Sequence, residues 1–546
     1  MAALDRETLD LTLEAMTSFV AEHLPDDVLL RLDHDDEFPE RIVRALGHEE
    51  LGVQLLFLPE EVGGMGGGAF DVYRVCEAMA RVDVGVATGV LATFLGSDPI
   101  LYGGTDAQKR QWLGRIAEEG ILMAYGATEP AAGSDLASLK TTATPILEDG
   151  KVVAYRLNGA KQWISNGGYA DLYTILAAAP EGPSWFVVER GAEGFSSGKP
   201  EDKHGIRASN TTSLTLEDVQ VDASALVGLV EGQGLQQAQK VFGFTRLMVA
   251  AFGLGAGWAA LDRAIAYSLE RIQAGTPLAD KEGFTHKLIV PHAVALEAGR
   301  AYIEQTALQL EEGAGTLNTE GAVAKYLATE AGNRAADAAI QAHGGYGFTR
   351  EYMVEKIKRD VRITTIYEGT SEIMEMTVAR DRWQAHLRTR GGHYHQLGES
   401  LLDLHKKSPT VGADVAALAN LALGAAMEQM RTQRLTRHQH VLFRLGALIT
   451  MAEGAAALAR RAASALDGTL PEKAERRFEP AALAAVSRIY ARESAYTIAT
   501  EGLRYAQAGG PDPSAREALR LDAIVQAQTG LLEDMTKVAD ALYGRA

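Results

Sequence analysis

The sequence predicts a mainly helical protein with a central antiparallel β domain and a helical extension at its C-terminal end. Residues 1–122 form amphipathic helical segments with short breaks, whereas residues 123–222 alternate apolar and polar side chains and are rich in β-branched and aromatic residues. Alanine-rich runs of helical period return at about residue 235. We therefore predict four domains: a helical domain at 1–122, a β domain at 123–234, a second helical domain at 235–387 and the extension at 388–546.

The first helical domain is predicted from apolar residues at helical spacing. In "DAQKRQWLGRIAEEG" (residues 106–120), Trp112, Leu113 and Ile116 fall on one face of a helix. This spacing is typical of a helix that packs one side against a core.

The β domain is predicted from short alternating segments that turn residues separate. The stretch "KVVAYRLNGAKQWISNGGYADLYTILAAA" (151–179) contains Asn-Gly and Gly-Gly, and "SWFVVER" and "TTSLTLEDVQV" continue the alternation to residue 222. Segments of this kind form hairpins of antiparallel strands.

The second helical domain begins with a periodic run of more than 30 residues, and "RTRGGHY" (388–394) marks its predicted boundary with the extension. Within the extension, "RTQRLTRHQHVLFRLG" (431–446) alternates basic and apolar residues, and we predict a helix there. Its basic side chains suit the acidic body of another subunit or a membrane surface. A plain solvated helix face explains the pattern about equally well. Of the two binding alternatives, subunit packing is favoured over the membrane, because few large apolar residues are present to insert.

Charge and composition narrow the class of partner. The net charge is −19, which argues against nucleic acid as the main partner. Residues 385–546 carry 20 Lys and Arg against 17 Asp and Glu, whereas residues 1–384 carry 33 against 55. The extension therefore has a different surface from the strongly acidic remainder.

The single cysteine, Cys76, excludes an internal disulfide framework and argues against a cysteine metal cluster, so no metal site is predicted. The acidic start "MAALDRETLDLTLEAM" matches neither a secretory signal nor a transit peptide. No stretch reaches about 18 uninterrupted apolar residues, so no membrane span is predicted. A cytoplasmic location is expected.

Four short stretches are candidates for a functional site: "YGATEPAAGSD" (125–135), just before the first strands, "KQWISNGG" (161–168), "QAHGGYGFTREY" (341–352) and "VRITTIYEGTSEIM" (361–374). Each has a purely structural explanation, namely a loop, a hairpin with a core tryptophan, a helix C-cap and a helix start. On the functional side, residues i and i+2 of a strand share a face, so Trp163 and Ser165 are predicted to lie together over one flat ring system. Small residues and glycines in the other stretches allow close approach of the backbone to a ligand.

Taken together and in this order, the stretches resemble the acyl-CoA dehydrogenase family from about residue 45 to 385. The motifs that carry the resemblance are "LGVQLLFLPEEVGG", "PILYGGTDAQKRQWL", "ATEPAAGSD", "KQWISNGG", "LERIQAGTPL", "QAHGGYGF" and "IYEGTSEIM". The extension resembles the longer members of the family, notably very-long-chain acyl-CoA dehydrogenases.

The resemblance implies a flavoprotein of fatty acid metabolism that uses FAD to oxidise an acyl-CoA to the trans-2-enoyl-CoA. Glu368 matches the base that removes the α-proton, and the β-hydrogen leaves as hydride to flavin N5. In the family, the backbone N–H of this glutamate and a flavin ribityl hydroxyl stabilise the charge that develops on the thioester oxygen. Some relatives carry the base elsewhere, but the matching residue here is Thr245, which cannot serve as a base.

The resemblance also implies which residues bind the ligands. For FAD these are Tyr125, Thr128, Ser134, Trp163, Ser165, Thr370 and Glu372, and, from a neighbouring subunit, Arg271, Gln341, Gly344 and Gly345. For the acyl-CoA they are Ser134, Phe244, Thr245, Arg246 and Gly369. Two departures from the family motif weaken the assignment of the residues that bind the dinucleotide end of FAD. Ala274 stands where phenylalanine is usual, and Glu282 stands near the position of an expected glutamine.

Several alternatives remain at this point. The expected electron acceptor is an electron-transferring flavoprotein, and the expected assembly is a homodimer or homotetramer. An acyl-CoA oxidase, which passes electrons to oxygen, is the second enzyme hypothesis. A non-catalytic flavin-binding scaffold of the same fold is the third hypothesis, and Glu368 with Arg246 argues against it.

Overall fold

The computed structural model describes residues 3–508, 510 and 513–545. The chain divides into two compact units. The first comprises Met1–Met248 with Leu310–Asn318, and the second comprises Val249–Gln309 with Thr319–Ala546. The predicted division into four domains stays a prediction.

The N-terminal part of the first unit is helical, as predicted. Its helices are α1 (Arg6–His23), α2 (Asp26–Asp35), α3 (Glu40–Arg44), α4 (Ala69–Val82), α5 (Val84–Gly103), α6 (Asp106–Gln108) and α7 (Gly114–Glu119). A π-helical turn at Lys109–Leu113 joins α6 to α7. The predicted apolar face, Trp112, Leu113 and Ile116, is buried.

A seven-stranded sheet follows within the described residues of this unit. Its strands are β1 (Met123–Gly126), β2 (Thr142–Glu148), β3 (Lys151–Ser165), β4 (Leu172–Ala179), β5 (Gly182–Glu189), β6 (Phe195–Ser197) and β7 (Thr211–Asp222). The spatial order is β1-β4-β2-β3-β7-β6, and β5 pairs with β4. One face of the sheet buries a core that includes Tyr155, Ile164, Phe186, Leu214 and Val219.

The strand pairing differs in part from a purely antiparallel sheet. The β2–β3, β3–β7, β4–β5 and β6–β7 pairs are antiparallel, as predicted, whereas β1 and β2 each pair with β4 in parallel. A parallel pair needs a long crossover between its strands. The β2–β3 hairpin supplies part of that connection between β1 and β4.

The second unit is helical apart from a two-stranded hairpin. Helix α8 (Gly234–Glu270) begins in the first unit and continues into the second. It is followed by β8 (Ile272–Gln273), β9 (Thr276–Pro277), α9 (Glu282–Phe284), α10 (Val290–Glu311), α11 (Asn318–His343), α12 (Met353–Val361) and α13 (Ser371–Arg388). The extension contains α14 (Gly392–Lys407), α15 (Ala413–Thr432), α16 (Gln439–Leu466), α17 (Pro480–Ala508), α18 (Ala515–Ala518), α19 (Leu521–Gln526) and α20 (Leu531–Leu542).

The prediction of one helix across residues 431–446 is wrong. Helix α15 ends at Thr432, a 3-10 turn covers Leu435–Arg437, and α16 begins at Gln439. Arg434 has a φ of 57°, in the left-handed region, which interrupts the ladder of helical hydrogen bonds. The basic and apolar residues of this stretch therefore do not line one helix face.

Three helical segments are long and apolar enough, by length and composition, to cross a membrane: Val84–Gly103, Phe242–Glu270 and Gln439–Leu466. Polar residues interrupt their apolar runs, which is why the criterion of an uninterrupted run does not find them. In the most apolar 18-residue stretch of each segment, 94%, 94% and 78% of the residues, in that order, are buried inside the protein. Burial of this extent is that of a helix packed in a protein core.

Candidate active site

Glu368 lies in a tight turn just before helix α13. Glu368 and Gly369 have φ angles of 53° and 96°, so two successive residues adopt left-handed conformations. Thr370 then caps the helix, because its side-chain oxygen accepts a hydrogen bond from Ile373 N at 3.3 Å. A Cβ on Gly369 would lie 2.5 Å from Met374 Cε. The turn therefore requires glycine at position 369, and it places Glu368 at a helix N-terminus.

Two residues of α11, Lys325 and Glu330, form hydrogen bonds to this turn and to the start of α13. Lys325, which is fully buried, donates a hydrogen bond through Nζ to the carbonyl oxygen of Gly369. Ser371 donates through Oγ to Glu330 Oε1 at 2.7 Å. No motif in the sequence singles out Lys325, since its partner is a backbone atom on a distant segment.

The first turns of α13 carry further acidic residues. Glu372 is exposed, whereas Glu375 is half-buried and accepts a hydrogen bond from Tyr326 Oη at 2.8 Å. Burial raises the pKa of Glu375, and the nearby Glu372 and Glu330 raise it further.

In the first unit, strand β3 contains a β-bulge next to Trp163. Lys161 pairs with Leu214 and Ile164 pairs with Thr212, so two residues of β3 lie opposite one residue of β7. Trp163 has a φ of 58° in this bulge. Lys161 and Ile164 are both buried although they are three residues apart, which reverses the simple alternation of the strand.

The shared face of Trp163 and Ser165 stays a prediction, because Trp163 lies inside the bulge and only the register from Ile164 to Ser165 is regular. Trp163 is 61% exposed, which is unusual for a tryptophan on a rigid strand. Ser165 pairs with Thr211 on β7. Within the described part of the chain, the buried Thr211 Oγ1 has no hydrogen-bond partner. This end of β3 therefore carries an uncovered ring, and the neighbouring end of β7 carries a hydroxyl without a partner among the described residues.

The loop that carries Thr128 is tied to the same strand. The backbone N–H of Gln162 donates to Thr128 O at 3.0 Å. Next to this contact, the buried Lys161 Nζ lies 2.7 Å from Glu129 Oε1 and also donates to Leu176 O at 2.6 Å and to Ala127 O at 3.3 Å. Lys161 therefore ties the residues on either side of Thr128, Ala127 and Glu129, to strand β3, two positions before Trp163.

Glu129 satisfies its carboxylate entirely within this network. It accepts from Lys140 N at 2.5 Å and from Thr141 N at 3.0 Å in addition to Lys161. Burial alone would raise the pKa of Glu129, but these hydrogen bonds hold it below its usual value. Both Glu129 and Lys161 fall within the quoted motifs, yet only the fold reveals that they bond to each other.

Tyr125 corrects one expectation, because it lies inside strand β1 rather than in a loop before the first strands. Its ring centroid is 4.7 Å from that of Trp185. Thr128 is half-buried and Ser134 is exposed in the loop that follows.

The predicted acyl-CoA residues of α8 are buried in the first unit. Phe244 makes an edge contact with Phe94, with ring centroids 5.7 Å apart. Arg246 donates through Nη1 to Asn318 O at 3.1 Å, and its guanidinium carbon lies 5.0 Å from the centroid of the Phe242 ring. Thr245, which lies between Phe244 and Arg246 in the sequence, is also buried.

The second unit contains a cleft of about 650 Å³ that collects all four residues predicted for the dinucleotide end of a cofactor. These are Arg271, Gln341, Gly344 and Gly345. A Cβ built on Gly344 or Gly345 would meet nothing within 4 Å, so the backbone there is open to a ligand. Four residues from two separate segments thus line one cleft.

Aromatic residues that the motifs do not assign also line this cleft. Tyr267 stacks on His343 with ring centroids 4.3 Å apart, and Arg271 lies 5.8 Å from the centroid of the Tyr346 ring. Burial lowers the pKa of His343, which favours its neutral form. A single cation among flat rings suits a ligand that carries both phosphate and an aromatic base.

Neither of the two departures from the family motif, Ala274 and Glu282, is among the residues that line this cleft. Ala274 forms the β8–β9 turn in a left-handed conformation with a φ of 48°, which costs roughly 1 kcal/mol for a residue with a Cβ. Glu282 opens the short helix α9 and is not among the lining residues.

Three family models match the chain in order. They describe the N-terminal, middle and C-terminal domains of acyl-CoA dehydrogenase and match residues 6–120, 124–219 and 232–382. An acyl-CoA dehydrogenase from Bacillus subtilis is 37% identical over 358 residues, which are 64% of this chain and 91% of that relative. The chain therefore is an enzyme of the acyl-CoA dehydrogenase family.

Solved structures agree with this assignment. A chain in a structure described as electron transferring flavoprotein of Acidaminococcus fermentans is 32% identical, with a TM-score of 0.64 over 70% of this chain and 99% of that chain. An acyl-CoA dehydrogenase from Bacillus anthracis complexed with FAD is 23% identical and has a TM-score of 0.83 over 99% of this chain and 95% of that chain. The second likeness includes the extension, so it extends the shared fold to the whole chain.

Proposed function

We propose that this enzyme removes the α-proton of an acyl-CoA thioester with Glu368 and forms the trans-2-enoyl-CoA in an FAD-dependent reaction. The observation that carries the proposal is the turn at Glu368 and Gly369, where two left-handed residues precede a capped helix. This geometry presents a carboxylate at a rigid site, and the Gly369 carbonyl behind it is held by Lys325. A positioned carboxylate is the group that proton abstraction next to a carbonyl requires.

The strand face around Trp163 fits the flat ring system of FAD. Trp163 leaves an indole face uncovered, and Thr211 Oγ1 has no partner within the described residues. Thr128 and Ser165 add hydroxyl groups beside it. Bound FAD would supply the acceptor for the hydride that leaves Cβ. The relative from Bacillus anthracis, which was solved with FAD, supports the same cofactor here.

The cleft around Arg271 fits the dinucleotide end of FAD. Its guanidinium can bind phosphate, and Tyr346 and Tyr267 offer aromatic surface. In the family this end belongs to the cofactor of a neighbouring subunit, so we also propose a homo-oligomer, either a dimer or a tetramer.

We propose an electron-transferring flavoprotein as the acceptor and the cytoplasm as the location. The acceptor is supported by the likeness to a chain in the structure of such a flavoprotein. An acyl-CoA oxidase would differ in one measurable step, because its reduced flavin would react rapidly with oxygen. Reduction with acyl-CoA followed by mixing with air-saturated buffer in a stopped-flow instrument separates the two: slow reoxidation by air with fast reoxidation by the flavoprotein supports the dehydrogenase.

The experiment that tests the base is Glu368→Gln. The amide cannot accept the α-proton, so we expect kcat to fall about a thousandfold, which corresponds to about 4 kcal/mol of barrier. Flavin content and acyl-CoA binding should remain. Glu399→Gln is the control, because Glu399 is an exposed carboxylate of the same unit. A Glu368→Gln enzyme with more than roughly a tenth of the wild-type rate would place the base elsewhere.

Turnover of a panel of straight, branched and aromatic acyl-CoAs, measured with a dye as electron acceptor, identifies the acyl chain that the enzyme prefers. Turnover of none of them by a flavin-loaded enzyme would favour the scaffold hypothesis.

A further inference from the structure

Helix α16 of the extension packs directly on helix α13, whose N-terminus follows Glu368. One point of close approach is Gly446. A Cβ built there would lie 2.7 Å from Glu375 Cα and closer still to the Glu375 carbonyl oxygen. Real Cβ atoms do not approach a backbone at such distances. Only glycine therefore lets α16 lie against the first turns of α13.

A second contact joins the same two helices farther along. Glu453 of α16 accepts hydrogen bonds from Arg382 of α13, from Nε at 2.7 Å and from Nη2 at 3.0 Å. Gly446 and Glu453 are seven residues apart, and so are Glu375 and Arg382. The two helices therefore run in the same direction and touch at points two turns apart.

The carboxylate of Glu453 is itself held from two other elements. Tyr302 of α10 donates to Glu453 Oε2 at 2.7 Å, and Tyr394 of α14 donates to Glu453 Oε1 at 2.9 Å. Burial alone would raise the pKa of Glu453, but the charge of Arg382 and these hydrogen bonds hold it below its usual value. The carboxylate is charged at neutral pH, and it keeps α16 from sliding along α13.

Helix α11 also bonds to the start of α13. Tyr326 of α11 donates to Glu375, and Lys325 and Glu330 of the same helix hold Gly369 and Ser371. The first turn of α13 and the turn before it are thus bonded to α11 and touched by α16. Glu375 and Glu368 are seven residues apart on one continuous segment, so a displacement at Glu375 is transmitted toward Glu368.

We propose that the C-terminal extension positions the catalytic base, with Gly446 and Glu453 as positioning residues that act through α13. This inference rests on the proposed function of Glu368 as the base. It assigns to the extension a role in catalysis although none of its residues touches the reacting atoms.

The test is Gly446→Ala in the full-length, FAD-loaded enzyme. The added methyl group must push α13 and α16 apart by a fraction of an ångström, and a displacement on this scale lowers the rate of a positioned reaction about tenfold or more. We expect kcat to fall by that factor with KM and flavin content nearly unchanged, and the α-deuterium isotope effect on kcat to rise because proton abstraction becomes slower. Gly392→Ala in α14 is the control, because its Cβ would meet only Gln396 Nε2 and Thr389 Cβ, both at an ordinary 3.8 Å. Gly392→Ala should behave as wild type in both measurements.

A milder pair of variants decides the case if Gly446→Ala does not fold. Tyr394→Phe removes one hydrogen bond from Glu453, whereas Tyr505→Phe removes the Tyr505–His440 contact at 3.1 Å, which lies elsewhere in the extension. We expect faster amide hydrogen exchange in residues 367–376 and a lower kcat for Tyr394→Phe alone. Equal exchange and equal kcat in the two variants would overturn the positioning role.

A folded Gly446→Ala enzyme with wild-type kcat and isotope effect would overturn it as well. These failures are distinguishable from failure of the proposed function. An active Glu368→Gln enzyme refutes the base itself, whereas an inactive one combined with a wild-type Gly446→Ala enzyme refutes only the role of the extension.

Discussion

Replacing Lys161 with methionine tests whether the buried ion pair holds the loop that carries Thr128. In the wild type, Lys161 Nζ bonds to Glu129 and to two backbone carbonyls, those of Ala127 and Leu176. Lys161 is fully buried and Glu129 is only 3% exposed. Methionine fills much of the same volume but donates nothing, so the carboxylate and both carbonyls lose a donor.

Breaking a buried pair by removing one partner costs about 3–5 kcal/mol. Glu129 keeps its bonds from Lys140 N and Thr141 N, which lowers the loss, whereas the two unsatisfied carbonyls add to it. We therefore expect a loss of about 4 kcal/mol in local stability. The exposed pair of Lys537 and Glu533 is the control, because its side chains are 54% and 71% exposed and Lys537→Met should cost less than about 1 kcal/mol.

Native-state hydrogen exchange of strand β3 is the appropriate assay, because a chain with two compact units does not unfold as one cooperative step. A loss of 4 kcal/mol accelerates exchange about a thousandfold, since each 1.4 kcal/mol is a factor of ten. Flavin release should become easier in parallel. The double variant Lys161→Met/Glu129→Gln should recover part of the loss, because it removes the unpaired charge.

The same pair predicts the direction of the pH dependence. The pKa of Glu129 is lowered in the folded state from its usual 4.5. The carboxylate therefore contributes stability above pH 4.5, and this contribution is lost as the pH falls below 4.5 through the folded pKa. Equal protection of β3 in Lys161→Met and Lys537→Met would refute the reasoning, and so would a wild-type protection factor of β3, corrected for the intrinsic pH dependence of exchange, that does not fall in acid.

Two further predictions concern the second unit. Arg271→Met should weaken FAD binding about tenfold, which is the loss expected for one charged hydrogen bond to phosphate. Replacement of the exposed Arg388 by methionine should leave the affinity for FAD unchanged. Equilibrium titration of the apoprotein with FAD measures both affinities, and equal values would contradict the assignment of the cleft. Burial, with Arg334 nearby, lowers the pKa of His292 from 6.5 to about 4, so the stability from its neutral form is present above pH 6.5 and is lost as the pH falls towards 4. His292→Gln should flatten the fall in melting temperature between pH 7 and pH 5, and an unchanged slope would show that other groups cause it.

The order of helical and β regions follows from periodicity along the chain, and this is why it was predictable. The face of Trp112, Leu113 and Ile116 is buried as its spacing indicates. The failure at residues 431–446 has a physical reason: the left-handed Arg434 ends a helix that the alternation of basic and apolar residues appeared to continue, and arginine carries no local signal for that conformation. The parallel pairs of β4 were equally invisible, because pairing direction depends on which strands meet.

The candidate site divides in the same way. Glu368, Gly369 and Thr370 are contiguous, so a motif can identify them, and the left-handed turn is consistent with the glycine that the motif contains. The shared face of Trp163 and Ser165 is predicted from alternation and stays a prediction, because Trp163 itself lies in the bulge between Lys161 and Ile164.

The features that could be read from the residues alone are local: the period of each segment, the residues of each motif and the neighbours of Glu368 along the chain. Which distant groups meet depends on how the elements pack. Lys325 bonds to the carbonyl of Gly369, Lys161 bonds to Glu129, and Gly446 lies against Glu375. Each of these contacts depends on burial and on the distance between two separate elements, and neither quantity is encoded in the residue types at either end.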